Sequence, residues 1–165
     1  METSPVSELG PRLAAIERRE AVRRAMARYM DLCDVPREPY DDAEFAALFV
    51  PHAVWEGTGP EYTGKFGRLE GREAILSMLR SYLPPSRHFR RNVHVLGEGH
   101  IAVRDEAATG RWVMQQVSEY DDGGHELIAA RLDVDFEITG STACISHFRT
   151  EKLLSVNPAA ALSTN

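Results

Sequence analysis

The chain has 165 residues, 43% hydrophobic and 27% charged, which suits one globular domain with a real core and excludes wholesale disorder. The formal net charge is −6, and the nearest approach to a basic stripe, Arg87, Arg90 and Arg91, is too short for a nucleic-acid interface. No apolar run approaches a membrane span and the two cysteines, Cys33 and Cys144, form no CxxC pair; the expectation is a cytoplasmic protein with free thiols and neither nucleic acid nor membrane as a partner.

A first helix is expected from near Pro11, with Leu13, Ile16, Val22, Met26, Tyr29 and Cys33 at helical spacing, ending before Pro36. A second starts at Asp41, a capping residue with Glu44 three positions on, and stops at Pro51. Ala53 to Trp55 reads as a short strand, and the polar, glycine-rich stretch from Glu56 to Gly71 as a loop able to serve as a lid. A third helix runs from about Arg72 to Leu83, before Pro84 and Pro85.

From His88 the period changes to two. Strands are expected over Phe89–Leu96, over Ala102–Tyr120 (one or two strands around Gly110), and over Arg131–Ile138. A last strand runs from about Thr142 to Leu153, with turns at Gly97–Gly99, Asp121–Gly124 and Thr139–Ser141. Helices first and strands afterwards imply an α+β domain, three helices on one face of a curved, mostly antiparallel sheet, with a ligand pocket between the layers. The domain is expected over residues 1–157, with a frayed tail at 158–165.

No phosphate loop, dinucleotide fingerprint, HExxH or GxSxG is present, and the six histidines have no metal-ligand spacing, so no metal and no cofactor are expected. Tyr29 lies on the apolar face of the first helix, and its hydroxyl needs a partner there. Asp34 closes that helix as either a pocket carboxylate or a solvated one. His88 is either a general base entering the sheet or a surface imidazole beside Arg87 and Arg90. Strict alternation along the last strand groups Ala143, Ile145, His147 and Arg149 on one face; a guanidinium there is either solvated or meets an anion. Trp55, Asn92, Arg111, Trp112 and Asp133 are further candidates for the substrate wall, although core or rim packing is the favoured reading for the two tryptophans.

The helix end Tyr29-Met-Asp-Leu-Cys-Asp34, the segment Phe45-Ala-Ala-Leu-Phe-Val-Pro-His-Ala-Val-Trp55 and Gly71-Arg-Glu-Ala-Ile75 occur in that order. Arg87-His-Phe-Arg-Arg-Asn92, Arg131-Leu-Asp-Val-Asp-Phe136 and Ile145-Ser-His-Phe-Arg149 come after them. Together they resemble the SnoaL-like branch of the nuclear transport factor 2-like superfamily, from about Ala14 to Leu154. The resemblance implies a cone-shaped barrel, usually dimeric through the sheet, with a pocket inside. It also implies cofactor-independent chemistry in dehydratases, a dehydrochlorinase, ketosteroid isomerases and polyketide cyclases, although some members only bind or assemble.

By position, Tyr29, Asp34, His88 and Arg149 match the groups that act in the dehydratase and dehydrochlorinase members. The acidic residue that some dehydratases carry on a middle strand has no counterpart; Arg111 or Trp112 falls there. The expected activity is therefore proton abstraction and elimination on a hydrophobic small molecule by an Asp34–His88 dyad, in a homodimer or higher homo-oligomer. Isomerisation, cyclisation or binding without chemistry are the alternatives, the last predicting that Asp34 and His88 do not touch and that Trp55, Phe45 and Met114 fill the pocket.

Overall fold

The computed structural model describes residues 5–35 and 41–158. Helix α1 (Pro5–Cys33) leads into α2 (Asp42–Leu48), β1 (Phe49–Thr58), α3 (Gly59–Phe66), β2 (Arg68–Glu70) and α4 (Arg72–Tyr82). The long strands come next: β3 (Phe89–Leu96), β4 (His100–Arg104), β5 (Ala107–Tyr120), β6 (His125–Thr139) and β7 (Thr142–Val156). They form one mixed sheet in the order β2-β1-β7-β6-β5-β3, with β4 paired to β5; β1 runs parallel to β7 and every other pairing is antiparallel. The fold is α+β as expected, with two corrections. There are four helices among the described residues, and the curved sheet ends on β2 at one edge and β3 and β4 at the other instead of closing into a barrel.

The segment from Glu56 to Gly71 is not an irregular loop. Strand β1 runs on to Thr58, α3 starts with Pro60 in its first turn, and Gly67 (φ 62°) turns the chain into β2. Those proline and glycine residues mark the boundaries of short elements. Between β4 and β5 the turn falls at Asp105 (φ 48°), not at Gly110, which stays inside β5. Strand β3 spans Phe89–Leu96 as the alternation predicts.

α1 begins six residues before Pro11, and only its C-terminal half is packed: Val22, Met26, Tyr29, Met30 and Leu32 are buried, whereas Leu13 and Ile16 remain more than half exposed. Helical periodicity marks one face along the whole helix, but the sheet covers only part of it. Asp41 caps α2 by accepting the Ala43 N–H at 2.8 Å, while Glu44 takes a hydrogen bond from Arg28 of α1 at 2.6 Å. The core lies between α1, α2, α4 and the concave face of the sheet, where Phe45, Phe49, Met26, Ile75, Leu132, Phe136 and Ile145 are almost fully buried. The expected frayed tail lies, from residue 159 onward, outside the described residues.

Candidate active site

Two adjoining cavities of about 130 and 110 Å³ open between the helices and the concave sheet face. They share a wall of Tyr29, Cys33, Trp55, Tyr62, Phe66, His94 and Gln116. Volumes near 150 Å³ accommodate a single aromatic ring.

The end of α1 is stitched to β3 by an isolated bridge: Val35 N–H donates to Asn92 O at 2.8 Å and Asn92 N–H to Val35 O at 2.9 Å. The bridge carries Asp34 to His94. Asp34 Oδ1 accepts the backbone N–H of His94 at 2.8 Å and lies 2.8 Å from His94 Nδ1. With Nδ1 donating to the carboxylate, Nε2 is the basic nitrogen of the neutral ring. The His94 side chain is only 9% exposed and lines both cavities. Beneath it, Asn92 is 2% exposed, and its Oδ1 accepts from Gln116 Nε2 at 3.0 Å and Ser118 Oγ at 2.9 Å, while Nδ2 donates to Cys33 O at 3.4 Å. The dyad therefore rests on a buried polar network.

The expected partner of Asp34 was His88, and the structure corrects that pairing. His88 precedes β3 and lies in an aromatic setting, with ring centroids 4.8 Å from Tyr82, 4.4 Å from Phe89 and 5.5 Å from Tyr120. Burial, and then the positive charge of Lys65, hold its pKa below the ordinary value and favour the neutral ring. It still lines the larger cavity, as His94 does, but not the smaller one. His94 escapes the sequence reading although a signal for it exists: alternation along β3 places it on the face of Asn92 and Leu96, and Asn92 is itself a candidate.

Tyr29 stands on the cavity wall, where its hydroxyl accepts from Trp55 Nε1 at 3.2 Å and its ring packs 4.9 Å from Phe148. Trp55 in turn stacks on Phe148 at 5.7 Å. Tyr62 is pushed up to about 12 by burial, reinforced by Glu126 and Glu61. Tyr120 is also shifted upward, first by burial and then because its hydroxyl donates to Glu126 Oε2 at 2.6 Å. Both phenols therefore stay protonated near neutral pH.

Arg149 is not on the cavity wall, and strict alternation fails for a specific reason. On β6 one step separates Phe136 from Asp135, but their β7 partners Ile145 and His147 are two apart, so Ser146 is an extra, bulged residue. The bulge reverses the parity of the residues beyond it. Phe148 and Thr150 face the cavity, while His147 and Arg149 join the outer face. There Arg149 Nη2 bonds Asp135 Oδ2 at 2.8 Å and contacts His147 Nδ1 at 2.6 Å; His147 Nε2 lies 3.2 Å from Glu56 Oε1 without hydrogen-bond alignment. Glu56 sits below the ordinary carboxylate range: burial opposes the shift, but the hydrogen bond from Arg68 and the charge of His147 together outweigh it.

Arg111 and Asp133 pair with each other on the same outer face, 2.6 Å apart. Trp112 is a core residue, 6.3 Å from the Phe136 ring and wedged against Gly99 and Gly110; Cβ atoms there would lie 1.9 and 2.1 Å from its indole. Of the nine candidates, the cavity walls thus hold Tyr29, Trp55, His88 and Asn92, with Asp34 directly behind His94. Met114 lines the inner cavity while Phe45 lies in the core behind Tyr29. No cluster of three or more metal-ligating side chains occurs among the described residues.

A curved mixed sheet is thus backed by helices, with an Asp–His pair at the wall of a partly open cavity between the two layers. The SnoaL-like domain family matches residues 14–148, and the chain belongs to that family. Among solved structures it is similar to hexachlorocyclohexane dehydrochlorinase LinA-type3 from Novosphingobium barchaimii LL02 (14% identity, TM-score 0.71, 88% of this chain and 92% of that one covered). It is also similar to a protein from Novosphingobium aromaticivorans DSM 12444 provisionally assigned as a scytalone dehydratase (17%, TM-score 0.68, 84% and 85%). A third is an NTF2-like protein with a cystatin-like fold from Novosphingobium aromaticivorans (20%, TM-score 0.68, 99% of both). At these identities the likeness concerns the fold. No curated protein matches the chain. No helix is long and apolar enough to cross a membrane among the described residues.

Proposed function

We propose that this protein is a cofactor-independent, dehydratase-like lyase acting on a hydrophobic small molecule, with His94 as the base and Asp34 as the carboxylate that orients it. One observation carries the reading: the 2.8 Å contact from Asp34 Oδ1 to Nδ1 of a nearly buried cavity histidine. A carboxylate on Nδ1 fixes the tautomer, aims Nε2 as an acceptor and stabilises the imidazolium that proton abstraction creates. In the step, Nε2 takes a proton from carbon, the C–H pair becomes the new C=C bond, and the β-leaving group departs with its bonding pair. Halide leaves as the anion; hydroxide takes a proton from a cavity phenol, and Tyr29 is placed for this. The fold likeness to a dehydrochlorinase and a dehydratase-like protein supports elimination. If the imidazolium returned its proton to another carbon, the same dyad would act as an isomerase.

The test is a panel of β-hydroxy and β-halo ring compounds followed by alkene absorbance. His94→Ala and Asp34→Asn should each lower kcat/KM by about 10²–10⁴-fold while remaining folded, shown by a cooperative unfolding transition. If His88→Ala abolishes turnover and His94→Ala does not, the base has been misassigned. Full activity in both His94→Ala and Asp34→Asn would refute the dyad, and no turnover of any panel compound by the wild-type chain would favour ligand binding without chemistry, a reading to which the missing Asp34–His88 contact lends weight.

We further propose that the chain forms a homodimer through the outer sheet face. Val93, Val117, Leu127 and Val156 are register partners in one row across four strands, flanked by Val95, Val113 and Leu154, and all but Leu127 are at least 44% exposed. An apolar patch of this extent marks a protein contact. Val117→Lys should convert the dimer to a monomer in sedimentation equilibrium; a wild-type monomer refutes the assignment.

A further inference from the structure

We infer that the cavity takes a ring-bearing carboxylate, with its anionic end at Lys65 and its reacting carbon at His94. The inference rests on the reading of His94 above and adds the substrate class. Among the described residues the walls of the larger cavity hold no aspartate or glutamate, and Lys65 is their only lysine or arginine; Glu126 meets the wall only through the Tyr120 hydroxyl, which donates to it. This is notable in a chain with a net charge of −6. The other lysine, Lys152, is paired with Glu61 at the opposite end of α3. Lys65 has no acidic partner among the described residues; its Nζ lies 5.0 Å from the centroid of Phe66, a cavity ring. It is exposed, so it stands at the entrance beside His88, whose other charged neighbour is Asp122.

Between this entrance and the dyad the walls are aromatic: Phe66, Tyr82, Phe89 and Tyr120 on the Lys65 side, Trp55 and Tyr29 further in. The site is therefore aromatic-walled, with a cation at its mouth and His94 on its wall. An ammonium ligand would be repelled at Lys65, and a neutral ring would leave that charge unused. A carboxylate satisfies it while the ring enters the aromatic channel.

The experiment is calorimetric titration of the full chain with three isosteric probes: 2-naphthoate, 2-naphthamide and 2-naphthylmethylammonium. Wild type should bind naphthoate at least tenfold tighter than the amide, and the margin should shrink as salt is raised. Lys65→Met should bind naphthoate and the amide equally, with amide affinity within twofold of wild type. Lys65→Glu should prefer the ammonium. The exposed position keeps both variants folded, checked by unchanged unfolding midpoints. Equal binding of naphthoate and amide to wild type, no binding of any probe, or a preference that survives in Lys65→Met overturns the inference. His94→Ala should retain the carboxylate preference, which separates the two readings: an active His94→Ala with the preference intact sinks the dyad alone, and an inactive one without it sinks the substrate class alone.

Discussion

Asn92 offers the sharpest test of how the fold holds the dyad. Its side chain is 2% exposed and makes three hydrogen bonds: two accepted, from Gln116 and Ser118, and a longer one donated to the carbonyl of Cys33. Asn92→Ala removes all three and leaves the Ser118 hydroxyl, itself 2% exposed, without its acceptor. At about 1 kcal/mol for each of the two good bonds, and about 1 kcal/mol more for the stranded buried polar groups, the loss should be about 3 kcal/mol. Asn92→Asp keeps the acceptor but buries a charge, and should be at least as damaging. Urea unfolding at constant m-value measures both. The main-chain bridge to Val35 does not depend on the side chain, so any Asn92→Ala protein that remains folded should keep some activity. A change below about 1 kcal/mol for Asn92→Ala would refute the claim that this network anchors the end of α1.

The lowered pKa of His88 means the folded state resists its protonation. Its stabilising contribution is present at higher pH and is lost as pH falls through the ordinary imidazole value near 6.5. His88→Phe should therefore flatten the fall in stability between about pH 7.5 and 5.5, measured by urea midpoints; an unchanged slope counts against the buried setting. Gly110→Ala places a Cβ 2.1 Å from the Trp112 ring and should cost about 2–3 kcal/mol by overpacking, with Trp112→Leu in the same chain restoring part of the loss in thermal melts. Arg149→Met should leave kcat/KM within about twofold of wild type once a substrate is found, because the guanidinium lies on the outer sheet face. A hundredfold loss would return Arg149 to the site.

Much of the fold is legible in the sequence because its signals are local. The alternation of Leu132, Val134, Phe136 and Ile138 with charged neighbours marks β6, and a polar turn at each end closes it. Asp41 marks the start of α2 through a cap contained within three residues. The segment from Glu56 to Gly71 reads as a loop because α3 and β2 are too short to show a period, and their stability comes from contacts with β1 and β7.

The sequence by itself determined the α+β class and the family, and it singled out Tyr29, Trp55, Asn92 and His88, which line the larger cavity, together with Asp34, which lies behind His94. Tertiary structure decided which histidine Asp34 meets and on which side of the sheet Arg149 stands. The first depends on the register between the end of α1 and β3, set by the Val35–Asn92 bridge between residues far apart in the chain. The second depends on one bulged residue, Ser146, visible only in the pairing of β7 with β6. Side-chain parity is fixed by pairing, and pairing is a property of two strands together, which neither segment records alone.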